Sequence, residues 1–116
     1  MNEAPPFYLN VGGCVYVTRR STLAEGSSTF FSALMRATDP ECVEVFVDRD
    51  PAHFRHVLNW LRGVRYLPDD EATLLELQWE ADYYCMQDLH NAIVNRERYS
   101  ISRTLHDMCG EIRQRR

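Results

Sequence analysis

Two histidines, His53 and His56, stand three residues apart, and on a helix that spacing puts both rings on one face, near enough to share a metal ion. Cys85 with His90, or His106 with Cys109, are the partners such a site would draw on. The four cysteines, Cys14, Cys42, Cys85 and Cys109, are dispersed, however, and no CxxC pair supplies the spacing of a structural zinc site. Nucleophilic catalysis would need a thiol beside a base, for instance Cys14 with one of the histidines. Cys14 falls in a predicted strand, where an isolated thiol usually acts as a small hydrophobe. Gly12-Gly13 joins two strands instead of opening a helix, so its N–H groups have no helix dipole behind them to hold a phosphate. No catalytic residue, metal ligand or cofactor site is expected, and the chain is not expected to be an enzyme.

The residues that remain suit contacts between proteins. Asp48, Arg49 and Asp50 form a dense charged cluster, in which Arg49 can make a two-pronged bond to a carboxylate across an interface. Trp60 falls one position off the apolar stripe of its helix, which makes it the candidate for an exposed aromatic anchor at a contact. Trp79, Tyr83 and Tyr84, at helical spacing, suit a core or an interface better than a ligand patch.

A chain of 116 residues suits one domain. With 45% hydrophobic and 26% charged residues it should fold, and its net charge of −4 lacks the basic excess that nucleic-acid binding requires. No run is long and apolar enough for a membrane span, and the first residues, MNEAPPFYLNV, lack the order of a signal peptide. A cytoplasmic protein with free thiols is expected. The charge is uneven: residues 1–94 carry a net −7 and residues 95–116 a net +3.

The elements that must position these residues follow from local signals. Phe7 to Val11 and Cys14 to Thr18 predict a hairpin closed by Gly12-Gly13. Ser21 offers an N-cap for a single turn ended by Gly26, and Ser27 or Ser28 one for a helix with Phe30, Phe31, Leu34 and Met35. Residues 37–44 form a loop, and Val43, Val45 and Val47 share one face of a following strand. Asp50-Pro51 starts a helix over about 51–62, striped by Phe54, Val57, Leu58 and Leu61 and stopped by Gly63. Asp69 or Asp70 caps another through Leu74, Leu75, Leu77, Trp79, Ala81 and Tyr84, and one more begins near Gln87. Ile101, Leu105, Met108 and Ile112 stripe a basic helix over 101–116 that should dock on the domain or on a partner. The pattern predicts an α+β fold with a small sheet covered by helices.

Set in order, Leu9-Asn10-Val11-Gly12-Gly13, Ser21-Thr22-Leu23, Val47-Asp48-Arg49-Asp50-Pro51, the FxxVLNWLR run from Phe54 to Arg62 and Glu80-Ala81-Asp82-Tyr83-Tyr84 resemble the BTB/POZ domain of the KCTD and potassium-channel tetramerisation family. The likeness divides the chain into a lead without structure (1–6), a BTB domain (7–94) and a basic C-terminal helical extension (95–116). It implies assembly of identical copies into a closed ring, tetrameric in channels and commonly pentameric in KCTD proteins, with Asp48, Arg49 and Trp60 as oligomer-interface candidates. It also implies that such a module can recruit a cullin scaffold of ubiquitin ligases, through residues 37–44 and nearby helix ends, while a following domain holds the substrate. Residues 95–116 are too short for such a domain. Some channel members bind interfacial zinc through a histidine and cysteines that include an adjacent pair, and this chain departs from that pattern because Met86 follows Cys85. A KCTD-like adaptor is the favoured reading, with a channel-like assembly domain or a pure oligomerisation scaffold as the alternative.

Overall fold

The structure, a computed structural model, describes residues 4–96. The striped segment 101–116 lies outside the described residues.

Strands β1 (Phe7–Val11) and β2 (Cys14–Thr18) form the expected hairpin, paired from Phe7 opposite Thr18 to Val11 opposite Cys14. Its two-residue turn needs positive φ at both positions, and Gly12 (55°) and Gly13 (103°) supply it. Strand β3 (Glu44–Val47) runs parallel to β1 on its other side, giving the order β2-β1-β3. Parallel strands cannot be joined by a tight turn, and here α1 (Arg20–Glu25) and α2 (Thr29–Ala37) lie along the connection.

Ser28 caps α2: its hydroxyl accepts from the Phe31 N–H at 3.0 Å and donates to the Tyr84 carbonyl at 2.6 Å. Ser21 caps nothing. Helix α1 begins at Arg20, so Ser21 lies inside it, and the N-cap position falls to Arg19 without a side-chain hydrogen bond.

Helix α3 (Phe54–Leu61) starts later than Asp50-Pro51 suggests. The Asp50 carboxylate holds the Ala52 N–H at 2.9 Å, and the Pro51 carbonyl accepts from the Phe54 N–H at 3.0 Å, so these residues close a turn ahead of the helix instead of capping it. At its other end Val64 N–H donates to the Asn59 carbonyl and Gly63 N–H to the Trp60 carbonyl, a Schellman motif that Gly63 permits at φ 93°. Asp70 caps α4 (Glu71–Tyr83) through the Thr73 N–H at 2.8 Å. Helix α4 ends in the same motif, from Met86 N–H to the Ala81 carbonyl and Cys85 N–H to the Asp82 carbonyl, with Cys85 in the left-handed region at φ 54°. Helix α5 occupies 87–96.

The core lies between the inner sheet face and the helices. Strand alternation turns Phe7, Leu9, Val11 and Val47 inward against Phe31, Phe54, Val57, Leu58, Leu77 and Leu89. Phe31 and Tyr84 stack at 5.0 Å, and the Tyr84 hydroxyl is buried among these rings without a hydrogen-bond partner among the described residues. Burial pushes its pKa up, so it stays a neutral phenol.

Candidate functional site

Arg49 leaves the end of β3 and turns back onto its own domain. Its Nε and Nη2 donate to the Glu80 carboxylate of α4 at 3.2 and 2.6 Å, and its guanidinium lies 4.3 Å from the Tyr83 ring centroid. The bond to Glu80 raises the guanidinium pKa above its ordinary range, so the charge is fixed. The two-pronged contact foreseen for Arg49 is thus made within the protomer, where it presents Tyr83. Asp48 and Asp50 on either side are exposed.

Trp60 is a correction. It is only 5% exposed, so it is no free anchor. Its Nε1 donates to Asp88 at 3.0 Å, and Arg65 lies over the ring at 4.7 Å while bonding the same carboxylate at 2.8 Å. Helix α5, distant in sequence, supplies that partner, so the buried face of α3 is wider than its own stripe. Burial pushes the Asp88 pKa up, but the donors from Trp60, Ser27, Leu89 and Arg65 outweigh it and hold the carboxyl below its ordinary range. Trp60, Leu67, Ala92 and Arg96 line a surface cleft of about 620 Å³.

Among the described residues two apolar surfaces stand open. Register puts Val17, Tyr8 and Glu44 in one row of the outer sheet face, and Val15, Asn10 and Phe46 in the next. Phe46 is 61% exposed and Val15 53%, with Val17 similar. The second surface is on α4, which turns Leu74, Leu77 and Ala81 inward yet carries Leu75, Trp79 and Tyr83 outward, Trp79 at 57% exposure. The helical spacing of Trp79 and Tyr83 suits a core or an interface, and the structure puts both at the surface; the outer sheet face was not singled out from the sequence. The alternation of Val15, Tyr16 and Val17 marks two apolar faces on β2, which was the available signal.

Arg20 braces the connection between α2 and β3, with Nη2 donating to the Asp39 carbonyl at 2.6 Å and to that of Cys42 at 3.4 Å. His53 pairs with Glu76 of α4. His56 has its pKa lowered by burial and by its neighbours Arg55 and His53. Among the described residues no group of three or more His, Cys, Asp or Glu side chains is placed to hold a metal, and Cys14, Cys42 and Cys85 are free thiols. Among those residues, no helix is long and apolar enough to cross a membrane.

Residues 7–94 match the family model of the BTB/POZ domain. The chain belongs to the BTB/POZ family. Its curated relatives include the BTB/POZ domain-containing protein KCTD18 of Bos taurus, 35% identical over 80 residues, a match covering 66% of this chain and 19% of that protein. The FH protein interacting protein FIP2 of Arabidopsis thaliana is 38% identical over 93 residues, 73% of this chain and 30% of that protein. The BTB/POZ domain-containing protein KCTD21 of Homo sapiens is 35% identical over 97 residues, 79% and 37% respectively. The chain therefore spans well under half the length of these relatives. Among solved structures, the BTB domain of zebrafish PATZ1 superposes with a TM-score of 0.66 over 80% of this chain and 75% of that one, at 17% identity, a likeness of fold. The BTB/POZ family is one of protein-interaction domains, and the two open apolar surfaces of this BTB domain accord with that class.

Proposed function

We propose that this BTB domain assembles identical copies into a closed ring of four or five and serves in the cytoplasm as a KCTD-like adaptor. The observation that carries the reading is the outer sheet face, where Val15, Val17 and Phe46 meet water although the opposite face already forms the core. Large apolar side chains exposed together on one sheet face mark an interaction site. Asp48 and Arg49, at the exit of β3 beside Tyr83, belong to the same interface in this reading. Trp60 supports it from within, by holding α3 to α5.

Light scattering coupled to size exclusion tests the assembly. At micromolar concentration the wild type should have the mass of four or five protomers, and Phe46→Glu should lower it. A clean wild-type monomer refutes the reading.

The adaptor role rests on the loop of residues 38–43, which Arg20 holds in one shape and which is thereby prepared for a partner such as a cullin. Titration with a cullin amino-terminal domain tests it: binding that Arg20→Ala weakens supports recruitment. No affinity at tens of micromolar leaves a pure oligomerisation scaffold.

A further inference from the structure

We propose that the surface cleft between residues 64–69 and α5 is the seat of the chain's own C-terminal segment, which lays Ile101, Leu105, Met108 and Ile112 into it as a helix antiparallel to α5. The inference concerns a single protomer and does not depend on the assembly proposed above. Trp60, Leu67 and Ala92 give the cleft of about 620 Å³ its apolar lining, and Tyr66, which also lines it, is 63% exposed. Val64 beside it is exposed too, so apolar area is left here that no described residue covers.

The path of the chain selects the occupant. Ala92, Asn95 and Arg96, from the last described turns of α5, line the cleft, so residue 97 starts at its wall. Ser100 stands immediately before the apolar stripe, at the place of an N-cap, and a connection of residues 97–100 has the length that joins antiparallel helix neighbours. The dimensions agree: Ile101 to Ile112 spans about 16 Å of helix, against about 15 Å for residues 87–96. Such a helix is marginal alone and gains from a surface, and a tether of four residues presents it to the cleft at an effective concentration on the order of millimolar, which a free partner lacks. The charges are complementary as well. Arg65 and Arg96 line the cleft and are bonded to Asp88 and Asp69, each at 2.8 Å, while Asp70 and Glu71 stand exposed beside Asp69. Two guanidinium groups against these four carboxylates leave a net −2, and residues 97–116 hold five arginines against Glu97, Asp107 and Glu111, a net +2. That attraction draws the segment to this end of the domain, and salt screens its exposed part.

Hydrogen exchange read by mass spectrometry on the full chain tests the docking. Amides from Leu105 to Ile112 should exchange at least about tenfold more slowly than in the unfolded chain, and dilution should not change this. Tyr66→Arg, at an exposed position, sets a cation in the cleft against the basic segment. It should abolish that protection while the amides of α3 and α4 keep theirs, and Leu105→Arg on the other side of the contact should do the same. Fast exchange over 105–112 in the wild type overturns the inference. Protection that survives Tyr66→Arg places the segment elsewhere on the domain, and protection lost on dilution places it on a second copy; either result overturns it too. If Tyr66→Arg loses the wild-type circular dichroism, Tyr66→Ser replaces it, and a reduced protection of 105–112 is then required. The mass from light scattering reads assembly alone, so the two proposals fail separately.

Discussion

Removing the Arg49 guanidinium separates two roles for the charged cluster, because the side chain is committed inside the protomer. Its partner Glu80 is only 13% exposed, so in Arg49→Ala the carboxylate stays largely out of water without its two charged donors. Hydrogen bonds to charged groups contribute about 1.5–3 kcal/mol, and the contact over Tyr83 adds ~0.5–1 kcal/mol. Arg49 is itself 29% exposed, so water and counterions recover part of this, and a loss of ~2–3 kcal/mol is expected. Arg49→Lys should recover little, because an ammonium cannot reproduce a two-pronged bond. The measurement is urea unfolding in a Phe46→Glu background, where dissociation of copies does not enter the free energy. For a domain of this size the loss corresponds to a drop in Tm of roughly 10–20 °C. Glu80→Gln added to Arg49→Ala should cost less than the separate losses combined, with a coupling of ~1–2 kcal/mol. If Arg49→Ala shifts stability by under ~0.5 kcal/mol and its effect adds to that of Glu80→Gln, the internal pair contributes nothing.

Other positions give independent expectations. Cys85 sits in the left-handed region, which costs an L-residue about 1–2 kcal/mol, while glycine loses ~0.5–1 kcal/mol more backbone entropy on folding, so Cys85→Gly should stabilise by roughly 0.5–1 kcal/mol in urea. Unchanged or lower stability would contradict the strain at that helix end. Asp88 has a depressed pKa, so the stability it provides is present above the ordinary carboxylate range near ~4 and is lost as pH falls through its lower folded value. Asp88→Asn should flatten the acid limb of the stability curve, followed by circular dichroism; parallel wild-type and variant limbs would refute this. A Cβ at Gly12 would stand 2.3 Å from the Arg49 carbonyl oxygen, whereas one at Gly13 meets nothing within 4 Å. Gly12→Ala should therefore lose more stability than Gly13→Ala, by over ~1 kcal/mol, since only the first adds overpacking to backbone strain. Equal losses would remove the clash from the account.

Much of the fold was legible because its signals are local. Gly12-Gly13, Ser28, Gly63 and Asp70 each satisfy or release backbone groups within a few residues of themselves, and no distant partner is needed to read them. Trp60 was misread for the opposite reason: the groups that cover and bond it, Arg65 and Asp88, come from the segment beyond the helix and from α5. The end of α4 lacked its usual glycine, because Cys85 takes the strained position, so the break before Gln87 carried no glycine signal.

The outer faces of β2 and α4 were hard to assign for a different reason. Periodicity identifies a buried face by contrast with a polar one, and the contrast fails where both faces are apolar. On β2, Val15 and Val17 alternate with Tyr16, and on α4, Leu75 and Trp79 alternate with Leu74 and Leu77, so only packing decides which set reaches the core. An element with one apolar face is satisfied by its own domain. One with two retains apolar surface after folding, and the transfer free energy of roughly 1.5–3 kcal/mol per large side chain remains available to association. The elements whose amphipathic pattern is least decisive are therefore the two that leave the most apolar surface for a protein partner to cover.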